Sequence, residues 1–279
     1  MTCNSAPVNL ADALRAATAR LASTSETPRL DAELLMGHVL GIGRQALLLA
    51  SPDTEAPSAF ETLLARREAG EPVAYLVGRR GFWTIDLEVG PGALIPRPDS
   101  ETLIEAALDH FGAAGPAEIL DLGCGPGTLL LAALDQWPAA RGIGIDASEA
   151  ALAYARRNAE RLGLADRCEL RIGDWTEGID ARYDLVLCNP PYVEAEAQLG
   201  PGVREWEPHS ALFAGADGLA EYRRLAPSLP RLLAPGGIAC VEVGAGQDEA
   251  VMALFEAAGL RASRRRDLAG RYRCVILTT

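Results

Sequence analysis

From residue 117 onward, short apolar runs alternate with helical stretches, and this rhythm restricts the available architectures more than any other feature. The runs AEILDLG, RGIGID, CELRIGD, YDLVLCN and GIACVEVG are separated by stretches such as SEAALAYARRNAERLG. Parallel strands need long crossover connections, usually helices, so the alternation predicts an α/β fold with a mainly parallel sheet. A last candidate, RYRCVILTT, follows Gly270 and is expected to pair antiparallel at or near an edge.

Upstream the pattern differs. In NLADALRAATARLA, Leu10, Leu14, Ala17 and Leu21 recur at spacings of three and four, an amphipathic stripe. PRLDAELLMGHVLG starts on Pro28, is expected to bury Leu30, Leu34 and Leu35, and stops at Gly41. PSAFETLLARREAG repeats that grammar between Pro57 and Gly70. Residues 1–75 are therefore predicted to form a small helical bundle suited to binding a partner. Residues 76–97 read as a β-hairpin linker: positions 82–89 alternate with period two, and Gly90, Pro91 and Gly92 supply a turn. Residues 98–279 form the third segment, opened by a helix from Glu101 that Asp99 or Ser100 is expected to cap.

The 279 residues carry a net charge of −12, and every basic residue except the histidines is arginine. The acidic balance argues against sequence-specific nucleic-acid binding. Arg264–Arg266 read as a solvated strand edge rather than an RNA contact. Cys3, Cys124, Cys168, Cys188, Cys240 and Cys274 are scattered, with no CxxC pair and no histidine spacing suited to a metal. His38, His110 and His209 are isolated, and His209 reads as a loop residue rather than a base. No basic leader or long apolar segment appears, so a cytoplasmic protein without membrane contact is expected.

Two loops carry the chemistry. EILDLGCGPGTLLLAAL reads strand, glycine loop, helix. Gly123, Gly125 and Gly127 make G-x-G-x-G, one residue tighter than the dinucleotide fingerprint, and no lysine is present to complete a Walker loop. Without Cβ atoms this backbone can approach a ligand closely. The loop resembles the S-adenosylmethionine site of class I methyltransferases. In that resemblance Asp146, ending the next strand, accepts from both ribose hydroxyls, while Asp174 and Trp175 bracket adenine.

The second loop is NPPY. Proline lacks an N–H and fixes φ, so Pro190 and Pro191 make a rigid corner. Asn189 offers a side-chain carbonyl and Pro190 a backbone carbonyl, two acceptors suited to one –NH2 group, and Tyr192 offers a flat face. An amide nitrogen is a poor nucleophile, so orienting both its N–H bonds and stabilising developing positive charge should carry most of the catalysis. The tetrapeptide occurs in methyltransferases acting on adenine N6, guanine N2 and glutamine N5, and does not itself choose among them.

Over nearly its full length the chain resembles the glutamine N5-methyltransferases that modify bacterial peptide-chain release factors. The resemblance lies in the helical N-terminus, LIPRPDSETLIEAAL, ILDLGCGPG, NPPYV, EPHSALFAGADGLAEYRRL, LLAPGGIACVEVGAGQ and RRDLAGRYRCVIL. Ser100 stands where that family usually has threonine, and the hydroxyl is kept. Cys124 and Pro126 fall where contacts are largely backbone. The resemblance implies a Rossmann-like class I methyltransferase domain, S-adenosylmethionine as donor and S-adenosylhomocysteine as product. It implies a release factor as partner, methylated on the glutamine of its Gly-Gly-Gln tripeptide, with effect on translation termination. Gly123, Cys124, Gly125, Pro126, Gly127, Asp146, Trp175 and Asn189 would bind the donor, and Asn189, Pro190, Pro191 and Tyr192 the glutamine. Arg97, Glu101 and Glu242 are candidates for bracing the site. The alternatives are a DNA or RNA amino-methyltransferase using the same corner, and a binding protein that holds donor without transferring.

Overall fold

The computed structural model describes residues 8–279, so Cys3 lies outside the described residues. The chain divides into two compact units, one running to Arg79 and taking in Leu199–Trp206, the other comprising Arg80–Gln198 and Glu207–Thr279.

The smaller unit is helical: α1 (Leu10–Leu21), α2 (Pro28–Leu40), α3 (Arg44–Leu49), α4 (Ala59–Glu68) and α5 (Val73–Val77). Asn9 caps α1 through the Asp12 N–H at 2.9 Å, and the stripe Leu10, Leu14, Ala17, Leu21 is buried as its spacing requires. Gly41 ends α2 in the left-handed conformation, φ 67°. The buried face of α2 is not the expected one. Leu30 is exposed and Leu34 half-buried, whereas Asp31 and Glu33 are buried with Leu35 and Met36. Both acids are paired: Asp31 accepts from Arg67, Ser25 and Thr27 at 2.8, 2.7 and 3.0 Å, and Glu33 accepts from Arg29 and Arg44. Ion pairing thus overrides the apolar count on this helix.

The larger unit begins with a hairpin of β1 (Arg79–Phe82) and β2 (Ile85–Glu88). The alternation predicted one strand over 82–89. Instead the chain reverses at Trp83–Thr84, with Trp83 at φ 52°. A turn does form at Gly90, whose carbonyl accepts from the Ala93 N–H at 3.1 Å, but an irregular segment follows it rather than a second strand. Next come α6 (Glu101–Phe111), β3 (Glu118–Leu122), α7 (Thr128–Gln136), β4 (Arg141–Asp146), α8 (Glu149–Arg161), β5 (Cys168–Ile172) and β6 (Tyr183–Cys188). The short α9 (Val203–Trp206) belongs to the smaller unit, where Gly202 packs so closely on the Gly70 carbonyl that a Cβ would lie 2.5 Å from it. The remainder is α10 (Ala220–Leu225), α11 (Leu229–Leu232), β7 (Leu233–Glu242), α12 (Asp248–Ala257), β8 (Arg261–Arg266) and β9 (Tyr272–Thr278).

Seven strands form one sheet in the order β5-β4-β3-β6-β7-β9-β8. β5, β4, β3, β6 and β7 run parallel, and β9 pairs antiparallel with both β7 and β8. β8 and β5 are thus the two edge strands, and β9 lies one place inside β8. From β3 the chain winds outward through β4 to β5, then returns to β6 on the other flank of β3. The carboxyl ends of β3 and β6 meet at that reversal, where open α/β sheets bind ligands. Leu122 pairs with Cys188 there, so the loops leaving the two strands start side by side.

The hairpin is tied to the helices beside this point. Fully buried Asn158 on α8 accepts from the Glu88 N–H at 2.7 Å and donates to the Glu88 and Pro126 carbonyls, both at 3.0 Å. One side chain thereby links β2 to the glycine loop, with every polar group satisfied. Trp83 Nε1 donates to Gln136 on α7 at 3.0 Å.

Candidate active site

A cavity of about 380 Å³ opens at the carboxyl ends of the strands, within the size range of small-molecule sites. The glycine loop forms its floor. The Gly123 and Cys124 N–H groups donate to the Ile145 carbonyl at 2.8 and 3.0 Å, which turns the chain sharply off β3. Gly123, Cys124, Gly125 and Pro126 line the cavity, and a Cβ on Gly125 would meet no protein atom, only open space. Gly127 does not line it. At φ 86°, with a would-be Cβ 2.7 Å from Leu131, its role is to let α7 start against the loop. The Cys124 thiol packs against Gly144, and burial pushes its pKa up, so it is a neutral filler.

Asp146, at the end of β4, lines the cavity and holds the loop, accepting from Gly125 N–H and Ser148 N–H, both at 2.8 Å. Burial raises its pKa and these two bonds lower it. Trp175 follows β5 in the left-handed region, φ 49°, a costly conformation for an aromatic residue. Its Nε1 donates to Glu221 at 2.7 Å, and its indole edge stands over Gly123, where a Cβ would be 3.2 Å away. Arg224 bridges Glu221 and Asp174, fixing both ends of this turn.

Asp121 is the one charged residue in the apolar run ILDL, and sequence reasoning passed over it. It is buried, lines the cavity and accepts from the Leu130 N–H at 3.0 Å through Oδ2, while Oδ1 has no partner. Burial pushes its carboxyl up to about 7, with the charge of Asp146 adding to the rise. An acid interrupting an apolar strand just before a glycine loop was the available signal.

The proline corner leaves β6 opposite. Asn189 and Pro191 line the cavity; Pro190 is buried beneath them and Tyr192 packs into the core instead. Asn189 Nδ2 donates to Ser100 Oγ at 3.1 Å, and its Oδ1 makes no hydrogen bond among the described residues. Tyr192 Oη donates to Glu242 at 3.1 Å, and its carbonyl accepts from Gln247 at 3.0 Å. Burial pushes Glu242 up to about 7, against the pull of the Ser100 and Tyr192 hydroxyls and of Arg273.

The expected cap of α6 is not made. Ser100 is helical itself, closing a 3₁₀ turn over Pro98–Ser100, and its hydroxyl turns to Asn189; Asp99 pairs with Arg271 and Arg273. Arg97 lines the cavity and pairs with buried Glu207, which also accepts from the Ile95 N–H at 3.1 Å. Glu101 accepts from the Trp83 N–H at 2.9 Å and so braces the hairpin turn. His209 packs edge-on against Phe213, ring centroids 5.4 Å apart, and does not line the cavity. Among the described residues no cluster of His, Cys, Asp and Glu is suited to a metal ion, and no helix is long and apolar enough to cross a membrane.

A family profile described as the PrmC N-terminal domain matches residues 12–78, and a methyltransferase-domain profile matches residues 116–259. The chain is 48% identical to the release factor glutamine methyltransferase of Cereibacter sphaeroides, over 95% of this chain and 96% of that protein. It is 46% identical to the protein of the same name from Rhodospirillum rubrum, over 90% and 79% respectively. Among solved structures, a Pyrococcus furiosus methyltransferase superposes with TM-score 0.54 at 18% identity, covering 79% of this chain and 98% of that one. A T. thermophilus 16S rRNA N2 G1207 methyltransferase with AdoMet and guanosine gives TM-score 0.53 at 19% identity, covering 72% and 49%. These two likenesses concern the fold alone.

Proposed function

This chain belongs to the release factor glutamine methyltransferase family, and we propose that it works through the cavity between its glycine loop and its proline corner. It is an S-adenosylmethionine-dependent enzyme that methylates the side-chain amide nitrogen, N5, of a glutamine in peptide chain release factors. The glutamine is that of the Gly-Gly-Gln tripeptide, and the product is S-adenosylhomocysteine.

The residues present fit the donor. Asp121 offers a buried oxygen without a partner, and Gly125 leaves open the space a Cβ would occupy. Gly123, Cys124, Gly125 and Pro126 would hold it by backbone, Asp146 by its ribose hydroxyls and Trp175 by its base. When bound, it supplies an electrophilic methyl group on a sulfonium sulfur that departs as a neutral thioether.

The chain's own task is orientation. Asn189 Oδ1 and the Pro190 carbonyl accept the two N–H bonds of the glutamine amide, turning its nitrogen toward the methyl group. The same dipoles stabilise positive charge as the N–C bond forms. The surplus proton then leaves the nitrogen for water, and no strong base is needed. Pro191 keeps the corner rigid, and Tyr192 supports it from the core side. What carries this reading is the Asn189 amide, anchored by its nitrogen on Ser100 at 3.1 Å with its oxygen unengaged on the cavity wall.

The test uses purified release factor, labelled donor and peptide mapping of the product. Label on the tripeptide glutamine is expected. Donor binding with no label there, or label on adenine or guanine of added nucleic acid instead, overturns the proposal.

A further inference from the structure

We propose that Glu221 and Arg224 of α10 are positioning residues that make the donor site select adenine. This deepens the reading of Asp174 and Trp175 as the residues that bracket the donor's base, and rests on it.

Trp175 does not hold its turn by its own preference. At φ 49° an aromatic residue is strained, and such a conformation persists only where surrounding contacts over-determine it. Those contacts come from one helix. Trp175 Nε1 donates to Glu221 Oε2 at 2.7 Å. The same oxygen accepts from Arg224 Nη1 at 2.9 Å, and Arg224 Nη2 donates to Asp174 Oδ2 at 2.6 Å. Asp174 and Trp175 adjoin in the chain, so the four side chains close a ring, and all four line the cavity.

The sequence of α10 supports that ring. Tyr222 and Leu225 are fully buried, and Tyr222 Oη donates to the Glu242 backbone carbonyl at 2.9 Å. Glu221 and Arg224, three positions apart on the same helix, are left to face the cavity together. The Asp174 and Arg224 side chains are each 49% exposed. An ion pair so open to water adds little to stability. What it fixes is direction.

Anchoring Oδ2 on Arg224 decides what Asp174 offers. Its Oδ1 has no partner among the described residues, and a carboxylate paired with a guanidinium only accepts. The 6-amino group of adenine donates to such an oxygen. The 6-oxo group of hypoxanthine would set acceptor against acceptor. Trp175 does not tell the two apart, since every base presents a π-face for stacking. Selection therefore depends on Asp174, and Asp174 is aimed from α10.

The test measures binding of S-adenosylhomocysteine and S-inosylhomocysteine, which differ at position 6 of the base, to the full chain by calorimetry. Wild type should prefer the adenine compound by at least ~5-fold, the cost of an unmet polar group. In Glu221→Ala and in Arg224→Ala the adenine compound should bind ~3- to 10-fold more weakly, and the inosine compound should change by less than ~2-fold. The preference then largely disappears, with Tm within ~3 °C of wild type. The Trp175 indole N–H resonance, assigned by its loss in Trp175→Phe, should shift in both alanine variants.

An unchanged preference in both variants overturns the proposal, and so does a wild-type preference below ~2-fold. Equal weakening of the two compounds with a lowered Tm also overturns it, since the ring would then only hold the turn. Trp175→Ala separates the two levels. It should weaken both compounds alike; binding both as tightly as wild type would overturn the bracketing of the base itself, and the role of α10 with it. No release factor takes part, so these outcomes stand apart from whether glutamine is methylated.

Discussion

Asn189 performs geometry more than chemistry, and its variants should reveal that. Asn189→Ala removes one of two acceptors aimed at a charge that develops only during transfer. We expect kcat to fall by ~10²- to 10³-fold, the cost of losing one preorganised dipole. Donor Kd, measured by calorimetry, should change little; equal losses in both would assign the residue to donor binding. Trp175→Ala should do the reverse, raising donor Kd by at least ~5-fold, since an aromatic face is worth about 1 kcal/mol beyond its area. At this scale the two loops were legible because their residue types are chemically unusual: glycines without Cβ atoms, prolines without N–H groups. Asp121 was not read, although an acid interrupting an apolar strand marked it, and Glu242 was read only as a brace, because what defines it is burial and a partner 50 positions away, Tyr192.

Periodicity reports elements faithfully where apolar burial decides, and fails where a specific pair decides. α1 followed its stripe. α2 instead buries Asp31 and Glu33: Arg29 lies one turn before Glu33, but the other arginine partners, Arg44 and Arg67, lie 11 and 36 positions away from the acids they pair with and leave no local mark. Asp31→Ala would strand the largely buried Arg67 guanidinium. A loss of ~3–5 kcal/mol is expected by denaturant titration, the usual cost of breaking a buried pair. The hairpin turn was misplaced because Trp83–Thr84 has no turn signature; a tryptophan at φ 52° is held by Glu101 and Gln136, not by its own preference. Asn158 was missed because an asparagine on a helix is usually solvated. Asn158→Ala should cost about 1–3 kcal/mol, the penalty for orphaned buried groups. It should also weaken donor binding, since Pro126 loses its tether.

Across the whole molecule, two buried acids give stability an unusual slope with pH. Asp121 and Glu242 rise from 3.8 and 4.5 to about 7, each chiefly through burial. Between those limits the folded chain keeps protons that the unfolded chain has released, so stability falls as pH rises through about 7 and is fuller below about 4. Exposed acids such as Asp217, lowered to about 2 chiefly by its bond to Arg223, act in the opposite sense at much lower pH. Thermal denaturation should show a higher Tm at pH 5.5 than at pH 8, and Asp121→Asn should flatten part of that slope. The mainly parallel sheet was legible from alternation alone. The grouping of Leu199–Trp206 with the helical unit was not, since it depends on a close approach of Gly202 to Gly70. The sheet order also has a bearing on synthesis. β8 leaves the ribosome before β9, yet β9 is its sole neighbour in the finished sheet. For that interval β8 has a full row of unfilled N–H and C=O groups, an invitation to stick to another chain. Four arginines among its six residues, RASRRR, make mutual repulsion the guard against clumping until the partner arrives.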